Sequence, residues 1–158
     1  MQITHLPVTL VLTYLLAACA APTANPAGRD AAAAQATLEQ FLDPMRRGDY
    51  QGAAALYGGS YETLRDWNPG IAPDDRAALF ESGCRVNGLR CLAPASITPG
   101  GMGPNGEFLF TVTFVFPDGR RLVIDIPGSD QPPRSQFTFR VVRGPNGFQV
   151  LDLPPYVS

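Results

Sequence analysis

Near Ala93 the hydrophobic period of the chain changes, and that change limits its possible folds more than any other feature. Upstream, apolar residues recur at helical spacing. Leu38, Phe41, Leu42 and Met45 fall at i, i+3, i+4 and i+7 and make one stripe. Downstream the period is two. Phe108, Phe110, Val112, Phe114 and Phe116 alternate with Leu109, Thr111, Thr113 and Val115. Helices followed by an antiparallel sheet predict an α+β domain, with the N-terminal helices packed on the sheet.

Punctuation divides both halves. Asp30 can cap a first helix; Arg46, Arg47 and Gly48 suit its C-terminal end, and Pro44 predicts a kink or a loosened last turn. Asp49 can cap a short second helix through Ala53–Tyr57, ended by Gly58-Gly59. Ser60 to Trp67 predicts a further helical turn with Leu64 and Trp67 inward. Pro73, followed by Asp74 and Asp75, predicts the start of another helix running toward Gly83 and Cys84. In the sheet, Pro117-Asp118-Gly119-Arg120 turns into a strand over 121–126, and a Pro-rich loop over 127–135 leads to a strand from Phe137. Gly144-Pro145-Asn146-Gly147 turns into Phe148–Leu153. The same four residues occur at 103–106, which reads as repeated turn chemistry.

Absences exclude most common catalytic chemistry. All 12 basic residues are arginine, and the one histidine is His5. Residues after His5 therefore offer no Ser-His-Asp triad, Cys-His dyad, Schiff-base lysine, P-loop or histidine-ligated metal. Net charge is −2 with the signs interspersed and no basic stripe, which argues against a nucleic-acid partner. No cofactor is implied.

Leu16-Ala17-Ala18-Cys19 closes an apolar run from Leu6 and leads into Ala/Pro/Thr-rich chain. The run has the length of a signal-peptide core and is too short for an ordinary membrane span. The four residues resemble a bacterial lipobox. That resemblance implies a signal peptide over 1–18, a diacylglycerol on Cys19 and an acylated amino terminus of the palmitate class. It also implies a lipid-anchored envelope location, with Ala20 after the cysteine resembling the signal for the outer membrane. Met1–His5 departs from the pattern in lacking Lys and Arg. Ordinary secretion is the alternative, since Ala18-Cys19-Ala20 also fits an A-x-A cleavage site.

Residues 19–29 then read as the lipidated cysteine and a flexible tether, spanning on the order of 18 Å, with the folded domain over 30–158. In an exported chain the remaining Cys84 and Cys91 most simply form a disulfide. A redox or metal pair would want C-x-x-C spacing or further ligands.

Phe41–Tyr57, with its Gly48-Asp49-Tyr50 turn and Ala-rich continuation, resembles the opening of the nuclear-transport-factor-two-like superfamily. Gly147–Asp152 resembles that family's final hairpin. The implied fold is a curved antiparallel sheet wrapped around helices to leave a cone-shaped cavity. Two functional expectations follow. One is a non-catalytic envelope module that binds a small apolar ligand or a protein, with Trp67, Phe110 and Phe114 as candidate pocket residues, or else simply core. The other is a lyase or isomerase of the ketosteroid-isomerase type, which needs a buried carboxylate and an oxyanion donor. Asp125 is the first candidate there, with Asp66 or Asp152 behind it and Tyr57 or Tyr61 as donor. Arg120, Arg121, Arg140 and Arg143 raise a weaker third idea, an acidic or phosphate ligand. A homodimer is compatible with either main expectation.

Overall fold

A computed structural model of the chain describes residues 26–128 and 130–156. Cys19, the signal-like segment and most of the expected tether lie outside the described residues. Four helices precede a four-stranded sheet: α1 (Pro26–Arg47), α2 (Tyr50–Leu56), α3 (Glu62–Trp67), α4 (Arg76–Arg85), then β1 (Ala93–Met102), β2 (Phe108–Val115), β3 (Phe137–Gly144) and β4 (Gly147–Val150). The sheet is an open antiparallel meander in the order β1-β2-β3-β4. The α+β class is thus as the change of period predicts.

Helix α1 starts at Pro26, so 26–29 are helical and do not belong to the tether. Proline suits a first helical position because its missing N–H would have had no partner there. Asp30 is consequently inside the helix and caps nothing; it forms an ion pair with Arg143 at the end of β3. The helix runs on through Pro44, and Gln40, whose carbonyl loses its i+4 donor, is exposed to water. It ends in a paired closure. Asp49 N–H reaches the Pro44 carbonyl at 2.9 Å and Gly48 N–H reaches that of Met45 at 3.2 Å. Gly48 sits at φ +82°, the left-handed conformation this closure requires.

Asp49 then caps α2, its carboxylate accepting from Gly52 N–H at 2.9 Å. Helix α4 begins three residues after Pro73, because the carboxylate of Asp75 accepts from Ala78 N–H and sets the cap there. The sulfurs of Cys84 and Cys91 lie within bonding distance, with Cα atoms 5.6 Å apart, joining the end of α4 to the segment entering β1.

The core lies between the helices and one face of the sheet. Leu38, Phe41, Met45, Leu64, Leu79 and Phe80 meet Phe110, Val112, Phe114, Phe139, Val141 and Val150, all buried. Residues 121–126 do not form the predicted strand. They make isolated bridges at Arg121 (to Val115) and Ile124 (to Arg134). From Phe108 to Val112 the place beside β2 belongs to β3, so the segment pairs only with the last residues of β2 before leaving it. Its alternation survives in burial: Leu122 and Ile124 are buried, Val123 and Asp125 exposed.

Candidate functional site

The register of the last hairpin builds the site. Strands β3 and β4 pair from the turn as far as Val141 opposite Val150, and Leu151 N–H still reaches the Arg140 carbonyl at 2.9 Å. The next ladder bond is replaced. Arg140 N–H donates to the Asp152 carboxylate at 2.6 Å instead of to a backbone carbonyl, and the Arg140 guanidinium grips the same carboxylate through Nε and Nη2. This two-pronged grip holds the Arg140 guanidinium even more firmly protonated than usual. The tail then leaves the sheet, and Arg90 N–H holds the Pro155 carbonyl at 2.8 Å.

Between the first half of β3 and this diverted tail lies a groove of about 640 Å³, lined by Phe137, Thr138, Leu153, Pro155 and Tyr156 among others. A second arm of about 340 Å³ continues past Ile124 and Ile126. Arg134 lines both. The lining is mixed: Phe137, Leu153, Pro155 and Tyr156 alternate with Ser60, Thr63, Thr138 and Arg134, and polar groups make up more of its exposed surface than apolar ones.

Tyr57 reaches the groove from the end of α2. Its backbone bridges to Val150, and its hydroxyl donates to the Ser60 carbonyl at 3.0 Å. Burial pushes its phenol well above the ordinary range; Tyr61, Asp152 and Tyr156 add to the rise and Arg140 opposes it. Tyr61 packs edge-on at 5.0 Å, with the Arg76 guanidinium 5.3 Å over its ring. Its hydroxyl is buried without a hydrogen-bond partner, and burial pushes its pKa up to about 12.

The residues expected at a site from sequence are dispersed. Phe110 and Phe114 are 1% and 0% exposed, packed in the core, and line none of the described cavities. Trp67 is half-buried and meets Tyr156 edge-on at 5.0 Å, behind the groove. Asp125, the first candidate base, is exposed to solvent, because the alternation that buries Leu122 and Ile124 turns it outward; Asp66 is exposed too. Asp152 does approach Tyr57, but Arg140 occupies its carboxylate. A carboxylate so paired is not the desolvated base that this class of isomerisation needs.

The anion-site idea fares similarly. Arg120 pairs with Asp118, Arg140 with Asp152 and Arg143 with Asp30; Arg121 is exposed. The groove residues that sequence reading missed are Arg134, Thr138 and Tyr156. Their signal was weak: a Pro-rich approach to a strand and a Pro-Pro-Tyr tail. Among the described residues no cluster of His, Cys, Asp or Glu suits a metal, and no helix is long and apolar enough to cross a membrane. The chain matches no family model, curated protein or solved structure, so its own residues are what speak for the site.

Proposed function

We propose that this is a lipid-anchored protein of the bacterial cell envelope whose folded domain is a non-catalytic binding module, with the groove beside β3 as its binding face. One observation carries the binding reading. The aromatic interior is filled by its own side chains, whereas the groove is open and lined by a mixture of apolar and hydrogen-bonding groups. An open groove favours a protein segment over an enclosed small molecule. The anchor reading rests on Leu16-Ala17-Ala18-Cys19. Two or more acyl chains on Cys19 would give stable attachment where one gives only marginal binding. In a cell with two membranes, Ala20 favours the outer one. For lineage, the Phe41–Tyr57 resemblance and the order of helices before sheet support a nuclear-transport-factor-two-like domain.

The test is to express the full chain and Cys19→Ser in a bacterial host, label with radioactive palmitate, and separate membranes from soluble material. Wild type is expected labelled and in the membrane fraction, with the variant unlabelled. An unlabelled wild-type chain released in soluble form would remove the anchor and favour ordinary secretion. Native mass spectrometry of the same preparation separates the two kinds of occupant. A co-purifying small-molecule mass would replace the protein-segment reading with a ligand carrier.

A further inference from the structure

We infer that the groove takes an extended peptide as an added strand on the open outer edge of β3 at Thr138, with an acidic side chain of the peptide on Arg134. This rests on the binding-module reading above and specifies its partner. In an antiparallel strand the N–H and C=O of one residue point to the same side, and the side alternates. Arg140 uses both groups toward the tail, accepting from Leu151 N–H and donating to Asp152. Thr138, two residues earlier, therefore presents its own N–H and C=O to the groove. Neither has a partner among the described residues. The gap is held open at both ends. Asp152 fixes the tail where it leaves the sheet, and Pro155 is tied to Arg90 rather than to β3. A short strand added at the usual spacing of about 4.8 Å meets these two groups and lays alternate side chains on Phe137, Leu153 and Tyr156.

Charge selects the peptide. Among the described residues Asp152 is the one carboxylate lining either arm of the groove, and Arg140 occupies it. Arg134 is exposed at both arms and makes no ion pair among the described residues. A peptide with a carboxylate near its centre answers that charge, and a basic peptide is repelled.

The probe is a phage-displayed library of random peptides, panned on the full chain in detergent, with each enriched peptide synthesised and measured by fluorescence anisotropy. Enriched peptides are expected to contain Asp or Glu. They should bind about tenfold more weakly to Thr138→Pro, which removes the edge donor, and about fivefold more weakly to Arg134→Glu. Arg134→Glu is a surface change that leaves the fold alone, so it keeps the test informative if Thr138→Pro unfolds. Replacing the peptide's acid with arginine should restore binding to Arg134→Glu. Peptides that bind all three proteins equally overturn strand addition and leave the binding-module reading standing. If no peptide is enriched, strand addition falls together with the protein-segment reading, and the small-molecule mass decides whether the module is a ligand carrier. Self-association that protects the Thr138 amide from exchange without any peptide also overturns the proposal, in favour of a second copy of this chain on the edge.

Discussion

Tyr57 and Tyr61 pack edge-on in one aromatic cluster with Phe41 and Phe80, yet their hydroxyls have opposite fates. That of Tyr57 is satisfied by Ser60, and that of Tyr61 is buried with no partner. Removing one half of a bond costs stability, while removing an unsatisfied group relieves a desolvation penalty. Tyr57→Phe is therefore expected to lower unfolding free energy by about 1 kcal/mol and Tyr61→Phe to raise it by a similar amount, both read from urea unfolding. The same burial sets an alkaline limit. A phenol with a raised folded pKa contributes stability that is fully present below its ordinary value of 10.0 and lost as pH rises through about 12 for Tyr61. Thermal unfolding measured from pH 9 to 12 should show the midpoint falling across that window, less steeply in Tyr61→Phe. A pH-independent midpoint would contradict the burial of both rings.

At the scale of elements, sequence reading succeeded where side-chain spacing and local capping decide the structure. The stripe of α1, the Asp49 cap and the Gly48 stop needed nothing from outside their own segments. It failed where the outcome turns on which strand wins a neighbour. The 121–126 segment has strand alternation but loses its place beside β2 to β3. Strand β1 gives little strand signal, because it carries Pro94, Pro99, Gly100 and Gly101. It is an edge strand with two register shifts, where such residues are tolerated. The groove was invisible for a related reason: it depends on one aspartate side chain, Asp152, replacing a backbone carbonyl across the ladder.

The link between α4 and β1 can be tested at this scale. Closing its short loop is worth about 2.5 kcal/mol in the chain-entropy model. Cys84→Ser/Cys91→Ser is expected to lower the urea midpoint accordingly while keeping the same secondary structure by circular dichroism. Equal midpoints for oxidised and reduced wild type would show that the bridge is not formed in solution.

Across the whole molecule, the helices and the sheet are joined last at one seam. Gly58 N–H donates to the Val150 carbonyl at 2.9 Å, and Tyr57 bridges to Val150 from the other end of the chain. Val150 is fully buried in the shared core. Deleting everything after Gly144 should therefore do more than remove an edge strand. It is expected to abolish near-ultraviolet circular dichroism and dispersed methyl resonances, since Tyr57 and Phe41 lose their cover. A truncated chain that kept those signals would show that the helices and the first three strands suffice. The seam also bears on the order of synthesis. The helices emerge from the ribosome before the strands, but their aromatic cluster is sealed only when β4 arrives, after all four helices and the other three strands. Such non-local closure is slow and late. Until then the chain has no finished core to unravel, and the rings that will be buried stay open to solvent.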